Sequence, residues 1–254
     1  MTDRTSGSIR SDETLFSIVE VLEALGEAGV TEIADRVDVS KSTVHGHLSS
    51  LRQNGYVVAD DGRYRLSLRF LQLGEHVRTQ TGIYDLARPH VDDLARETNE
   101  LANLAVEEEG RGVYLYRTQG DQTVQFSTDA GDVHQLHCSA TGKSMLAHLP
   151  EDRVDQILDR HGLQAHTDQT ITDRDVLREE LRDVRERGVA FDDEEYGEGL
   201  RCVGAPIRGA DGTVLGAISV SGPATRMSGE RYREELPDLL RRAANLIEIN
   251  LKQY

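Results

Sequence analysis

Residues 30–66 constrain the fold most, because two short helical patterns are followed there by two short strand-like runs. A predicted helix at 30–37 precedes a second at 40–53, whose core-facing positions recur at helical spacing: Val44, Leu48 and Leu51. Asp61-Gly62 is typical of a tight hairpin turn between the strand-like runs. This order of elements predicts a winged helix-turn-helix, which places its second helix in the DNA major groove.

Capping residues support this prediction. The Ser40 hydroxyl can accept a backbone N–H in the first turn of the second helix, and Thr31 is the predicted cap of the first. Asn54-Gly55 predicts the end of the second helix. A preceding helix at about 13–25 is expected to bury one apolar stripe, made of Leu15, Ile18, Val19, Leu22 and Leu25.

The start and outer face of the second helix, together with the hairpin, carry the candidate DNA contacts. Basic side chains suit phosphates, whereas hydroxyl and imidazole groups can also reach base edges. The candidates are Ser40, Lys41, Ser42, Thr43, His45, His47, Arg52, Arg63 and Arg65. A plain helical packing unit is the alternative for the helices, and ordinary exposed residues are the alternative for the two histidines. The hairpin at the expected distance favours DNA binding.

The charge is strongly acidic, with 29 Lys+Arg against 45 Asp+Glu and a formal net charge of −16. Residues 1–80 carry only −3 of this net charge, so the positive and negative charges of the predicted DNA-binding region nearly cancel. Just three basic residues are lysines: Lys41, Lys143 and Lys252. Abundant carboxylates with scarce lysine indicate a protein kept soluble in concentrated salt, with an ordinary acidic cytosolic protein as the alternative. Because salt weakens phosphate contacts, we expect DNA binding by this protein to depend more on base contacts and DNA shape than it does in a mesophilic protein.

The chain shows no signal peptide and no apolar run long enough to span a bilayer, which predicts a cytoplasmic protein with no membrane partner. Cys138 and Cys202 are too few and too far apart for a disulfide framework or a zinc ribbon. We expect no cofactor.

The rest of the chain alternates strand and helix patterns. A linker helix is predicted at 68–82. A further helix at about 83–98 contains Pro89, so a break or kink is expected near Arg88. Strands are predicted for LANLAVEEE, GVYLYRT, TVQFST, VAFDDEE, RCVGAPIRG and TVLGAISVSGP, with helices between them and a closing helix at about 229–251. This pattern predicts an α+β domain with a mostly antiparallel sheet.

Three blocks of sequence stand out: SKSTVHGHLSSLRQNGYV with RYRL, HCSATGKSMLAHLP, and RERGVAFDDEEYGEGLRCVGAPIRGADGTVLGAISVSGPATRMS. Together they resemble the isocitrate-lyase-regulator (IclR) family of transcription factors. The resemblance implies an α+β protein with an N-terminal winged helix-turn-helix and a C-terminal GAF-like mixed α/β effector domain. The expected divisions are a disordered tail at 1–10, the DNA-binding domain at 11–67, the linker helix at 68–82 and the effector domain at 83–254.

The same resemblance implies a ligand-responsive regulator that forms homodimers or dimers of dimers and reads palindromic promoter sites in double-stranded DNA. Its effector would be a small organic acid, and its targets would lie in carbon catabolism, such as sugar or sugar-acid degradation. The family pattern places the effector against residues from three segments: His137, Cys138, Ser139, Ala140, Thr141 and Gly142; Asp192 and Cys202; and Ser219 and Ser221. Backbone N–H groups at a helix start and serine hydroxyls would suit a carboxylate, and Asp192 could accept from a ligand hydroxyl.

Two features depart from the family pattern or allow other chemistry. Gly46 stands where members often carry arginine, which puts the DNA contact set in question. His134, His137 and Cys138 could also contribute to a metal site completed by Asp192 or Cys202, although this spacing is weak evidence. A GAF-like thiol enzyme or redox sensor using Cys138 is the alternative function. We expect a regulator without catalytic residues or a bound metal.

Overall fold

The computed structural model describes residues 9–120 and 129–252. The chain divides into two compact units, Met1–Arg78 and Thr79–Tyr254. The expected strand TVQFST and the first eight residues of the expected tail lie outside the described residues. The remaining elements confirm an α+β fold with an N-terminal winged helix-turn-helix and a C-terminal mixed domain.

The first unit is built from short helices around a small sheet. Its elements are α1 (Arg10–Leu25), β1 (Ala28–Gly29), α2 (Val30–Val37), α3 (Lys41–Gln53), β2 (Val57–Asp60), β3 (Arg63–Leu66) and the start of α4 (Arg69–Gln80). The sheet has the order β1-β3-β2. Asp61 and Gly62 both adopt positive φ angles, of 43° and 78°, as a two-residue hairpin turn requires.

The apolar stripes predicted from the sequence meet in the core of this unit. Ile18 and Leu22 from α1, Ile33 from α2 and Val44 and Leu48 from α3 are all fully buried. Burying each such side chain stabilises the fold by about 1.5–3 kcal/mol, so the core fixes α3 against the other two helices. The exposed face of α3 is thereby determined.

Helix starts agree with the sequence analysis in one case and differ in others. Ser40 caps α3 as predicted, and its Oγ accepts the backbone N–H of Thr43 at 3.1 Å. The predicted cap at Thr31 is wrong, because α2 begins directly after β1 with Gly29 at the cap position and Thr31 inside the helix. Helix α1 begins at Arg10, which the analysis had assigned to the tail.

The second unit is a six-stranded antiparallel sheet flanked by helices. In chain order it contains α5 (Tyr84–Thr98), β4 (Leu101–Glu108), β5 (Arg111–Gln119), β6 (Val133–His134), α6 (Ala140–Leu146), α7 (Glu151–His161), α8 (Arg174–Arg187), β7 (Ala190–Asp193), β8 (Leu200–Arg208), β9 (Val214–Pro223) and α9 (Leu236–Leu251). The strand order is β6-β5-β4-β9-β8-β7. Helices α5 and α9 pack on one face, and α6, α7 and α8 cover the other.

Two helices differ from expectation. The break predicted in α5 is wrong, because the helix runs through Pro89 without interruption. Proline removes one backbone donor, and the fully buried Ala87 and Val91 on either side hold the helix to the sheet. The closing helix begins with a π-helical turn at Arg231–Glu235, which precedes α9. No helix in residues 9–120 or 129–252 has both the length and the apolar character needed to cross a membrane.

Candidate DNA-binding surface and effector cavity

The outer face of α3 presents most of the predicted DNA contacts to solvent. Lys41, Ser42, Thr43, His45 and Arg52 are exposed, and His47 is half-buried. The core positions Val44, Leu48 and Leu51 face the opposite direction, so the amphipathic pattern itself creates this surface. The geometry matches a helix that can enter a groove with its N-terminal turns.

Hydroxyl groups form a connected cluster at the start of α3. The Ser40 Oγ lies 2.8 Å from both the Ser42 Oγ and the Thr43 Oγ1, in addition to accepting the Thr43 N–H. Ser40 is therefore primarily a cap, and it restrains the two hydroxyls that follow it. This restraint orients Ser42 and Thr43 at the end of the helix that approaches bases in winged helix-turn-helix proteins.

The two hairpin arginines differ in their surroundings. The Arg63 Nε donates to a Glu27 carboxylate oxygen at 2.8 Å, and its Nη2 donates to the Glu27 carbonyl at 3.0 Å. Arg65 forms no ion pair within the part of the chain that the structure describes, and its Nη1 donates to the Leu66 carbonyl oxygen at the long distance of 3.5 Å. Arg65 is thus the freer of the two to meet a phosphate.

The second unit contains a cavity of about 200 Å³ between α6 and the sheet. Seven of the residues expected to hold an effector line it: Ser139, Ala140, Thr141, Asp192, Cys202, Ser219 and Ser221. Five further lining residues were missed by the sequence analysis: Leu101, Tyr114, Arg117, Tyr196 and Leu200. The structure therefore brings together all three segments that the family pattern had indicated.

Three of the expected residues lie outside the cavity lining. The His137 Nε2 donates to the Gln164 carbonyl at 3.1 Å, and the Cys138 thiol faces the Gln135 carbonyl at 3.8 Å. Gly142 has a packing role instead, since a Cβ there would lie 2.2 Å from the Leu136 carbonyl oxygen. These residues shape the loop and helix behind the cavity.

Small residues allow the start of α6 to approach the sheet closely. A Cβ at Gly204 on β8 would lie 2.7 Å from the Ala140 carbonyl carbon and oxygen. Ser139 caps α6, and its Oγ accepts the Gly142 N–H at 3.1 Å. The close approach places Ser139, Ala140 and Thr141 against one end of the cavity.

A polar row crosses three neighbouring strands at the cavity floor. Arg117 on β5 lies opposite Asn103 on β4, which lies opposite Ser219 on β9. The Arg117 Nε donates to the Asn103 Oδ1 at 2.8 Å. The Asn103 Nδ2 donates to the Ser219 and Ser221 hydroxyl oxygens at 3.0 and 3.2 Å. Asn103 thus links the cation to both serines.

An irregularity in β5 adds an aromatic side chain to this floor. The register between β4 and β5 shifts at Leu104/Ala105, so that Leu104 pairs with Tyr116 and Ala105 pairs with Tyr114. The shift turns Tyr114 to the face that carries Arg117, and the guanidinium carbon lies 4.3 Å from the Tyr114 ring centre. This spacing is a cation–π contact that holds the arginine side chain in place.

Asp192 is the buried acid of the cavity. Its Oδ1 accepts the backbone N–H groups of Glu195 and Tyr196 at 2.9 and 3.2 Å. Burial raises the pKa of this carboxyl to about 7, despite those two hydrogen bonds, which favour the charged form. Asp192 can therefore exchange a proton near neutral pH.

A buried ionic cluster lies at Lys143, which is only 1% exposed on α6. Its Nζ pairs with Glu195 and lies 3.4 Å from a Glu180 carboxylate oxygen. Burial raises the pKa of the Glu195 carboxyl, and the Lys143 cation opposes that effect. The cluster ties α6 and α8 to the segment that follows Asp192, which forms one side of the cavity.

The cysteine and histidine side chains do not form an activated nucleophile. Burial raises the pKa of the Cys138 thiol to about 12, so at neutral pH the unreactive thiol form predominates. Burial also lowers the pKa of His134 to about 3, and its Nε2 shares a hydrogen bond with the Thr141 hydroxyl at 3.0 Å. Across residues 9–120 and 129–252, no three or more His, Cys, Asp or Glu residues group as metal ligands would.

Two polar residues within apolar strand patterns were the overlooked signal for the cavity. Asn103 interrupts LANLAVEEE, and Arg117 ends the apolar part of GVYLYRT. A buried polar group needs a partner, so each could have been read as facing a polar site. Nothing local in the sequence indicated that the two side chains would meet.

Comparison with known proteins agrees with both units. Residues 15–61 match the IclR helix-turn-helix domain, and residues 75–249 match the bacterial transcriptional regulator IclR C-terminal domain. The chain is 37% identical over 254 residues to the probable HTH-type transcriptional regulator ArcR of Halobacterium salinarum, covering 97% of each protein. The match to a Halobacterium protein supports the adaptation to concentrated salt expected from the composition.

Two further matches extend the agreement to other organisms. The HTH-type transcriptional regulator KdgR of Escherichia coli is 32% identical, with 91% of this chain and 89% of that protein covered. The crystal structure of Thermotoga maritima IclR superposes with a TM-score of 0.82 at 32% identity, covering 95% of this chain and 97% of that one. The chain belongs to the IclR family of transcriptional regulators.

Proposed function

We propose that this chain is a sequence-specific DNA-binding regulator that acts in the cytoplasm and responds to a small organic acid. The observation that carries the proposal is the surface of α3, where a core-anchored and capped helix presents Lys41, Ser42 and Thr43 to solvent. The adjacent hairpin adds Arg65, which has no ion pair among the described residues. Phosphate contacts would position the protein, and the helix would read bases.

The size and lining of the cavity support a small acid as the effector. A volume of about 200 Å³ is smaller than the roughly 300–1,000 Å³ typical of larger ligand sites. Serine hydroxyls and an arginine suit a carboxylate, and Asp192 can accept from a hydroxyl or donate to a carbonyl when protonated. Sugar acids and other short hydroxy or keto acids from carbon catabolism have this chemistry.

A homodimer, or a dimer of dimers, follows from the way palindromic DNA is read. A dimer must place its two recognition helices, the α3 helix of each copy, about one helical turn of DNA apart. Helix α4 and the residue before it expose a run of large apolar side chains, namely Leu68, Leu71, Leu73 and Val77. Because such a surface is unfavourable in water, we propose that this linker helix packs against its counterpart in a second copy.

Regulation requires that the acid bind one DNA-binding state better than the other. Its differential affinity sets the largest change in DNA affinity that it can produce. A protein that binds acid and DNA independently would therefore contradict the proposal.

The DNA-binding proposal is tested with a labelled duplex from upstream of the protein's own gene, in concentrated KCl, by fluorescence anisotropy. Arg65→Ala should weaken binding to every sequence and reduce the salt slope by about one, as expected for one lost phosphate contact. Thr43→Ala should reduce the preference for that duplex over a scrambled one. Arg63→Ala should have a smaller effect than Arg65→Ala, because Arg63 is paired with Glu27.

The matched control is Arg160→Ala, which removes an exposed arginine of α7 that pairs with Glu109 in the second unit. It should leave DNA affinity and salt dependence unchanged. Equal binding by wild type, Arg65→Ala and Thr43→Ala would contradict the contact assignment. A wild-type protein that binds no duplex better than its scrambled control would contradict the function.

A further inference from the structure

We propose that Arg117 determines the specificity of the cavity by binding the carboxylate of the effector. This inference rests on the proposed function, since it assumes that the cavity at α6 is the effector site. The family pattern had indicated serines, a helix start and an aspartate, but no cation. Arg117 supplies the positive charge that those groups lack.

Arg117 carries an unsatisfied hydrogen-bond donor. The Arg117 Nη1 is buried without a hydrogen-bond partner in the described part of the chain, although Arg117 lines the cavity. Leaving a charged donor buried and unpaired is unfavourable, so an acceptor from outside the protein is expected there. A carboxylate suits this donor, because a planar guanidinium can bind it through charge-assisted hydrogen bonds of defined geometry.

Asn103 orients both Arg117 and Ser219. Asn103 accepts from the Arg117 Nε and donates to the Ser219 Oγ, so the amide direction is set by its neighbours. A serine oxygen that accepts from Asn103 still has its own hydrogen to donate. The cavity floor thus offers the Arg117 guanidinium and the Ser219 hydroxyl as donors on β5 and β9, the two strands that flank β4. Asn103 acts as a positioning residue for both.

The charges in the cavity also favour a bound anion. Arg117 forms no ion pair with a carboxylate among the described residues, its Nε partner being the Asn103 amide, and it is the only basic residue in the lining. The Tyr114 ring beneath the guanidinium restricts it to one place without neutralising it. Asp192, the acid of the lining, has a raised pKa and is partly protonated at neutral pH. The site is therefore suited to a monoanion that also carries a hydroxyl or carbonyl group for Asp192.

The test measures preference for an acid over its neutral amide, which a purely structural arginine would not affect. The probes are three acids, each compared with its own amide: pyruvate with pyruvamide, lactate with lactamide, and benzoate with benzamide. Binding to the full chain is followed by calorimetry. We expect wild type to prefer an acid, and Arg117→Gln to reduce that preference about 10- to 100-fold, as for a buried charge-assisted hydrogen bond. Arg117→Lys keeps the charge without the planar fork and should give an intermediate preference.

The control is Arg153→Gln, which removes an arginine of α7 that pairs with Glu107 outside the cavity lining. It should keep the wild-type preference. Thermal unfolding of each ligand-free variant verifies that it folds. If Arg117→Gln does not fold, Arg117→Lys replaces it in the binding test. An acid preference that persists in Arg117→Gln, or in Arg117→Lys at wild-type strength, overturns the role of Arg117 and leaves the sensor function standing. A wild type that binds none of the acids overturns the proposed acid-sensing function and this inference with it.

Discussion

Gly46 lowers the stability of α3 by its low helix propensity, and replacing it measures that effect. The residue lies in the interior of α3, is exposed, and would place a Cβ more than 4 Å from any atom beyond its own helix and chain neighbours. Because the added methyl group would contact no other atom, Gly46→Ala should change the free energy of unfolding by the full difference in helix propensity between glycine and alanine. That difference is about 1 kcal/mol in favour of alanine.

An increase of about 1 kcal/mol corresponds to a rise in Tm of roughly 4–8 °C for a cooperative unit of 60–100 residues. Thermal unfolding of the full chain, followed by far-UV circular dichroism in concentrated KCl, measures this shift. The second unit should unfold at the same temperature in both proteins, since Gly46 lies in the other compact unit.

Gly26 provides the matched control for the same chemical change. A Cβ there would also meet no atom within 4 Å, but the residue has a φ of +73°, which L side chains rarely adopt. Gly26→Ala should therefore lower the free energy of unfolding by about 1 kcal/mol or more. Shifts of the same sign for the two variants would refute the reasoning, because only the backbone conformation distinguishes the sites.

Three further substitutions test other parts of the structure. Ser40→Ala removes the cap of α3 and should lower the free energy of unfolding by about 1 kcal/mol in the same thermal assay. Gly142→Ala places a Cβ 2.2 Å from the Leu136 carbonyl oxygen and should abolish the folded signal of the second unit, seen as lost cooperative unfolding. Asp192 has a pKa raised from 3.8 to about 7, so its folded form holds a proton that the unfolded chain releases. Stability from this group is present at acid pH and is lost as pH rises toward 7; Asp192→Asn should remove that part of the pH dependence of Tm.

The parts of the fold that depend on neighbours in sequence were predictable. The apolar spacing of α3, its cap at Ser40 and the Asp61-Gly62 turn each involve residues within a few positions of one another. The missed feature of this unit was β1, which pairs Ala28 with Tyr64 on β3. Because that pairing joins distant residues, the chain enters α2 from a strand, and no side chain at Thr31 is needed to begin the helix.

In the second unit, the burial of Lys143 likewise depends on residues that are distant in the sequence. Its surrounding residues, ATGKS, predicted a helix start with small residues, and the structure agrees. Its partner Glu195 lies 52 positions further along the chain, and no local pattern links the two. Lysine is rarely buried without such a partner, so its burial could be inferred only once the sheet had brought Asp192 and Glu195 beside α6.

The composition of the cavity depends on a single register shift. Tyr114 and Arg117 are three residues apart, so regular alternation along β5 would place them on opposite faces of the sheet. The irregularity at Leu104/Ala105 places both on the α6 face and leaves Tyr116 toward α5, where its hydroxyl donates to Asp92 at 2.7 Å. The family resemblance could indicate the serines and the aspartate because their segments carry the shared motif. It could not indicate the cation, because the face that Arg117 shares with Tyr114 is set by a bulge that no periodicity encodes.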